Sequence, residues 1–337
     1  MILLRKILFP LAFLYWLIMF IRSWLYDKGI LKSYSFNIPI IAVGNLSVGG
    51  TGKTPQIEYL IRLLSKDYKV AVLSRGYKRL TEGFVLADEK ATASSIGDEP
   101  FQFYSKFPNI QVAVDANRKN GIEKLLQFQD KPDVILLDDA FQHRKVKAGF
   151  YILLTAYDDL FCDDYILPFG NLREPSSGKK RADMIIVTKC PKDLSEFVQQ
   201  KFTENLKVKQ SVYFTTIQYD DFVFGDEIKL LVSEIQSESK LLVAGIVKPK
   251  LFFNFLKNES DETLVFPDHH HFSKQDCEQI LAKANGRKII TTEKDFVRLN
   301  GLLPKTQLFY LPMKSVFLNT NIDNKIQNYV EQGSRNS

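Results

Sequence analysis

Three cysteines in 337 residues exclude a disulfide framework. Cys162, Cys190 and Cys277 are odd in number and far apart. No two have the spacing of a zinc site, so they read as reduced thiols in a cytosolic compartment. Charge of one sign is scarce too. A net +6 is too mild for a nucleic-acid partner, but it suits an anionic substrate or an anionic membrane surface. Internal repeats and low-complexity tracts are missing, which excludes a solenoid or a linker-rich chain. What remains is ordinary globular composition, 45% hydrophobic and 25% charged, with length for one large or two modest domains.

Long apolar runs are confined to the first 26 residues. Arg5 and Lys6 precede an uncharged stretch from Ile7 to Ile21, and Arg22 closes it. As a helix this stretch is about 22 Å long, short against ~30 Å of hydrocarbon. Tyr15, Trp16, Trp24 and Tyr26 suit the headgroup level. A cleaved signal would need a small-residue site, and Ile21-Arg22-Ser23-Trp24 is a poor one. A span with Arg5 and Lys6 inside would leave the rest of the chain outside, away from the cytosol. A helix lying in, or dipping into, the inner face satisfies the length and keeps the rest of the chain on the cytosolic side. A helix buried on the protein's own core is the alternative.

The segment Ser47-Val48-Gly49-Gly50-Thr51-Gly52-Lys53-Thr54 follows the apolar run Ile38–Val43 and leads into a helical pattern. Strand, glycine-rich turn and helix N-terminus together make a nest for phosphate. Lys53 would reach the outer phosphates and Thr54 would ligate Mg²⁺. Serine stands at position 47, where the P-loop pattern has glycine. A flexible glycine loop without ligand is the plain alternative. A second P-loop element is the continuous apolar run Asp133–Leu137 ending in Asp138 and Asp139. Such a run suits a strand buried on both faces of a parallel sheet. Acids at its carboxyl end can hold Mg²⁺ directly or through water.

Strands are expected at 40–43, 70–73, 112–114, 134–137, 151–155 and 184–188, with helices at 56–65, 100–106 and 119–128. The alternation predicts a mostly parallel sheet in an α/β/α sandwich. After about Lys207 the texture changes. Residues 211–219 read as an extended linker strand, and a second, smaller α/β unit begins at Leu241. Residues 308–312 are expected to return beside the linker strand, and 322–330 to close the chain as a helix before a frayed tail. The expected units are 1–28 (membrane-associated helix), 29–207 (P-loop domain), 208–228 (linker strand), 229–305 (smaller domain) and 306–337 (return strand, helix and tail).

Other polar clusters are ambiguous alone. Asp98 and Glu99, between Gly97 and Pro100, read as a helix N-cap. Gln142 and His143 extend the acid-bearing strand into a polar turn. Arg173-Glu174 reads as a surface salt bridge or as an arginine near the γ-phosphate. Arg75, after a strand, lies in a solvated loop or at an anion site. His269, His270 and His271 are adjacent and so converge poorly on one metal ion. One of them, aimed into a cleft by the turn after Pro267, is preferred. Thr292-Glu293-Lys294-Asp295 resembles a guanine-specificity motif by letters alone and is discounted as such.

In order, the chain carries N-L-S-V-G-G-T-G-K-T-P, S-R-G-Y, G-D-E-P, D-A-N-R, D-D-A-F-Q-H, L-R-E-P, T-K-C-P, P-D-H and T-E-K-D. This series resembles the tetraacyldisaccharide 4′-kinases, the lipid A 4′-kinase family, from Met1 to about Leu299. That family accepts serine at the position of Ser47. Ala140 stands where its D-D-G-F-Q-H motif has glycine, which is harmless unless the backbone there needs positive φ.

The resemblance implies a P-loop NTPase-like sandwich joined by a two-stranded linker to a smaller α/β domain, with ATP in the cleft between. It implies ATP- and Mg²⁺-dependent phosphorylation of the 4′-hydroxyl of a tetraacylated disaccharide 1-phosphate, giving lipid IVA. The enzyme would be peripheral or monotopic at the cytoplasmic face of the inner membrane. Its partners would be that lipid and the membrane surface, with no nucleic acid and no obligate protein partner. By resemblance Asp98 is the base, paired with His269. Glu99, Arg118, Gln142, His143, Arg173 and Glu174 match motif positions near nucleotide or acceptor, and Arg75 is assigned to substrate phosphate. The rivals are a membrane-associated P-loop switch or assembly ATPase, a kinase of a soluble acceptor, and a structural adaptor.

Overall fold

The computed structural model describes residues 8–226 and 228–335. Arg5 and Lys6 lie outside them. Helix α1 (Phe9–Asp27) comes first. Then follow β1 (Ile40–Asn45), α2 (Lys53–Leu64), β2 (Val70–Ser74), β3 (Val85–Leu86), α3 (Ala93–Ile96), α4 (Asp98–Lys106), β4 (Gln111–Val114), α5 (Arg118–Leu125), β5 (Val134–Asp138), β6 (Phe150–Ala156), β7 (Met184–Thr188) and α6 (Glu196–Leu206). The second half holds β8 (Ser211–Tyr219), β9 (Phe222–Phe224), β10 (Lys229–Leu231), α7 (Val232–Ser237), β11 (Leu241–Ala244), α8 (Lys250–Leu256), β12 (Glu262–Val265), α9 (Lys274–Ala284), β13 (Ile289–Thr292), α10 (Glu293–Leu299), β14 (Leu308–Leu311), β15 (Met313–Phe317) and α11 (Asp323–Arg335).

A nine-stranded sheet has the order β15-β8-β7-β6-β1-β5-β2-β4-β3. Its strands are parallel except at the two edges, where β3 and β15 run antiparallel. Every residue of β1, β2, β5 and β7 is buried, as a sheet covered on both faces requires. Alternate residues of β1 divide between two cores. Ile41 and Val43 pack with Ile57, Leu60 and Leu64 of α2, while Ile40 and Ala42 pack with Ile122 and Leu125 of α5. A six-stranded sheet, order β10-β9-β14-β13-β11-β12, forms the second unit.

The return strand differs from expectation. Leu308–Leu311 pairs in parallel with β13 in the small sheet, because Leu308, Phe309 and Leu311 bury on both of its faces. Met313–Phe317, one step later, runs antiparallel to β8. The closing helix then packs Ile322, Ile326 and Val330 into the same core as α2, and it continues through Arg335, past the expected tail start at Glu331.

Helix α1 lies against the large sheet's loops by one stripe. Ala12 is buried. The Tyr15 hydroxyl donates to the Arg173 carbonyl at 2.8 Å, and Arg22 donates to the Gln142 carbonyl at 3.0 Å. Arg144 reaches back to the Ser23 carbonyl at 3.0 Å and to Asp27 at 2.7 Å. Phe13, Leu14, Ile18 and Ile21 face outward, each about half exposed. The helix is therefore not buried on the protein's core, and its 19 residues are long and apolar enough to cross a membrane.

Three helices meet at Lys106, the last residue of α4. Its ammonium lies 2.9 Å from Glu58 of α2 and 2.6 Å from Glu293 of α10. Burial raises the Glu293 pKa, the Glu58 charge adds to the rise, and Lys106 opposes it. A carboxyl whose pKa is raised by folding holds its proton better folded than unfolded. Its contribution is full below the unfolded pKa, near 4.3, and is lost as pH climbs through the folded one. Glu293→Gln should therefore nearly match wild type near pH 4 and exceed it at pH 8 by about 1–3 kcal/mol. Urea midpoints at the two pH values check this; equal differences at both would refute the raised pKa.

Candidate active site

The site stands on the carboxyl edge of the large sheet, where open α/β sheets bind ligands. β1 delivers the glycine-rich turn. Gly49 and Gly52 have φ of +113° and +84°, a region side-chain-bearing residues seldom adopt. Gly52 precedes the first turn of α2, so the turn's N–H groups and the helix dipole can serve one anion. The loop is braced from outside. Val48 N–H donates to the Asn171 carbonyl at 2.8 Å, Thr188 Oγ1 donates to the Thr51 carbonyl at 2.8 Å, and Lys189 Nζ donates to the Gly50 carbonyl at 2.5 Å. Ser47 bridges to Leu172. The Thr51 hydroxyl is buried and has no partner among the described residues. An open glycine cradle with an unspent buried hydroxyl fits a phosphate chain.

β5 delivers the acids, in register with β1 at Val43 and Asp138. Asp138 accepts from Ser74 Oγ at 3.0 Å. Burial pushes its pKa up to about 6, with Asp139 and Glu99 adding and Lys53 and Ser74 opposing. Asp139 sits in the left-handed region, φ +47°. This swings its carboxylate onto Lys53 Nζ at 3.5 Å and, in bidentate fashion, onto Arg173 at 2.9 and 3.1 Å. Burial works against the charge, but Lys53 and Arg173 outweigh it and hold the carboxyl well below the usual range. Ala140 is not among the positive-φ residues, so the missing motif glycine costs nothing there. Oxygen donors beside Thr54, at the foot of α2, fit a hard divalent cation.

Arg173 and Glu174 do not pair with each other. Arg173 turns to Asp139 and Asn45, while Glu174 is buried against Arg181 at 2.8 Å and accepts from Gln142 at 2.8 Å. Gln142 also donates to the Asn45 carbonyl at 2.7 Å, tying this loop to β1. Arg118 is buried and donates to the Asp138 and Asp115 carbonyls at 3.0 and 2.6 Å. Desolvation lowers its pKa to about 10, with nearby acids opposing. His143 Nε2 is buried without a partner among the described residues. Burial, then Arg118, lowers its pKa to about 4. Arg75 is exposed.

Asp98 is the first residue of α4; Gly97, with φ +96°, takes the N-cap position and no side chain caps the helix. The N-cap reading therefore fails, and the carboxylate crosses to the second unit. His269 Nδ1 lies 3.0 Å from Asp98 Oδ2, and Arg298 donates to the same oxygen. Burial alone would raise the Asp98 pKa, but these two bonds hold it well below the usual range. Positive φ at His269, +56°, aims the ring inward. His270 instead pairs with Asp276 at 3.0 Å, and His271 is exposed. Ligand atoms of Asp98, Glu99 and His269 lie within 4.8 Å of one another, yet the positive charge there comes from Lys294 and Arg298. Lys294 Nζ is 3.1 Å from Glu99 and 2.9 Å from His269 Nε2. Sequence reasoning missed both cations. Their signal was a four-residue spacing on one helix face, around a buried Asp295.

Comparison with known proteins adds the rest. A family model described as tetraacyldisaccharide-1-P 4′-kinase matches residues 4–331. A Flavobacterium johnsoniae protein named tetraacyldisaccharide 4′-kinase is 65% identical, with 98% of each chain covered. One of the same name from Flavobacterium psychrophilum is 62% identical, with 99% of each covered. A crystal structure of LpxK from Aquifex aeolicus in complex with ATP has a TM-score of 0.77 at 29% identity, covering 98% of this chain and 99% of that one.

Proposed function

Because this chain belongs to the tetraacyldisaccharide-1-phosphate 4′-kinase family, it is an ATP-using lipid A 4′-kinase, and we propose the following division of labour within it. Residues Ser47–Thr54 hold the β- and γ-phosphates, and Lys53 neutralises them. Thr54 and Asp138 hold Mg²⁺, which when bound supplies charge neutralisation at the phosphates. The second acid, Asp139, is already committed to Lys53 and Arg173, which favours Asp138 as the ligand. Arg173 stands where the γ-phosphate would end. Asp98 accepts the proton of the 4′-hydroxyl, and His269 orients it. Glu99, Arg118, Gln142, His143 and Glu174 support these groups, and exposed Arg75 meets substrate phosphate.

One observation carries this reading. The Asp98–His269 pair adjoins the end of the strand that holds a P-loop acid: Ser74 donates to Asp138 at 3.0 Å, and Tyr77, three residues on, stands edge-on to His269 at 5.3 Å. A switch ATPase needs no such pair over an acceptor. The test is transfer of labelled γ-phosphate from ATP to purified tetraacyl disaccharide 1-phosphate in micelles, with a lipid-free control. Label at the 4′ position is expected; hydrolysis without labelled lipid would overturn the reading.

The apolar outer face of α1 supports a peripheral or monotopic seat on the cytoplasmic side of the inner membrane. A four-chain lipid does not leave a bilayer readily, at about 0.8 kcal/mol per buried CH₂. Leu14→Glu with Ile18→Glu, both at outward positions about half exposed, should abolish co-sedimentation with anionic vesicles at an unchanged unfolding temperature. Unchanged sedimentation would refute the membrane role.

A further inference from the structure

We propose that Lys294 is a positioning residue that fixes the tautomer of His269, so that the ring's one N–H points at Asp98. This rests on the reading of Asp98 and His269 as the acceptor-side pair. Lys294 Nζ lies 2.9 Å from His269 Nε2. An ammonium has three donors and no lone pair, so Nε2 accepts. A neutral imidazole that accepts at Nε2 carries its proton on Nδ1. That atom is 3.0 Å from Asp98 Oδ2. Arg298 Nη2 is 3.2 Å from Nδ1, but both donors converge on the one carboxylate oxygen.

The lysine is itself fixed. Asp268 and Glu99 each lie 3.1 Å from its Nζ, and the same two carboxylates lie 3.8 and 3.6 Å from His269 Nε2. The Tyr77 ring stands edge-on to the imidazole at 5.3 Å and hinders ring reversal. In the other tautomer Nε2–H would point at an ammonium 2.9 Å away, donor against donor. Lys294 therefore disfavours that tautomer. The orienting group comes from the second unit, so the acceptor-side pair is correct only when α10 is seated against α4.

Nitrogen NMR of the full chain labelled at its four histidines tests this, with His269→Gln assigning the resonance. The wild type should show a protonated Nδ1 and a bare Nε2 at His269. Lys294→Met should mix or reverse the tautomer and lower kcat about 10–100-fold, with the KM for ATP within twofold and the other histidine signals unmoved; Lys294→Arg should restore both. A protonated Nε2 in the wild type overturns the proposal, even if the variant fails to fold. So does an unchanged tautomer in Lys294→Met, whatever its activity. The spectra need neither ATP nor lipid. An expected tautomer in a protein that transfers no phosphate would therefore sink the kinase reading and leave this one.

Discussion

Lys53→Ala should remove phosphate transfer and leave the fold intact. The lysine points out of the first turn of α2 toward Asp139 at 3.5 Å and Asn45 Oδ1 at 3.4 Å. Both distances are long for strong bonds. The ammonium rests on an acid that has a better partner, because Arg173 holds Asp139 through two bonds. Its removal orphans nothing, so stability should change by less than about 1 kcal/mol. Transfer is another matter. Phosphoryl transfer depends on positioning and charge neutralisation, and losing one preorganised charged donor costs about 10²–10³-fold or more. Transfer of labelled γ-phosphate, read beside the unfolding temperature, separates the two. Near-wild-type turnover would refute the phosphate role, and a large drop in unfolding temperature would make the lysine structural.

Much of this was legible because strong local signals coincide with global ones. The strand-turn-helix around Lys53 and the buried β5 run into Asp138 need only a parallel sheet to be placed, and the alternating pattern supplies one. Arg173 stands beside Asp139, the partner of the P-loop lysine, but it does not pair with Glu174. A contiguous Arg-Glu reads as one ion pair, whereas the strand-like bridge at Leu172 sends the two side chains to opposite sides, to Asp139 and to Arg181. The return strand slipped because Leu308–Leu311 and Met313–Phe317 are adjacent apolar stretches, and only tertiary burial assigns the first to the small sheet. Lys294 and Arg298 were invisible for a different reason. Nothing local tells a helix 195 positions downstream that its cations will face Asp98; that contact exists only after both sheets have formed.

Asp98→Ala should lower kcat by about 10²–10⁴-fold, the usual loss for a general base, and leave the KM for ATP within a few-fold. The carboxylate's bonds run to His269 and Arg298 of the second unit, so nucleotide binding has little reason to depend on it. Held below the usual range by His269 and Arg298, Asp98 is a weak base in this arrangement. Phosphoryl transfer tolerates that. Its loose transition state leaves the acceptor hydroxyl largely protonated until bonding to phosphorus makes it acidic, and a weak, well-placed carboxylate then suffices. Asp98→Asn separates charge from shape, because the amide fills the same space but cannot take the proton. Equal losses in kcat for the alanine and asparagine variants identify a base. Arg298 keeps Asp295 at 3.2 Å in both, so neither leaves an unpaired buried cation, and both should fold. A rise in the KM for ATP with kcat retained would instead assign Asp98 to metal or nucleotide, and the base would have to be sought elsewhere in the cleft.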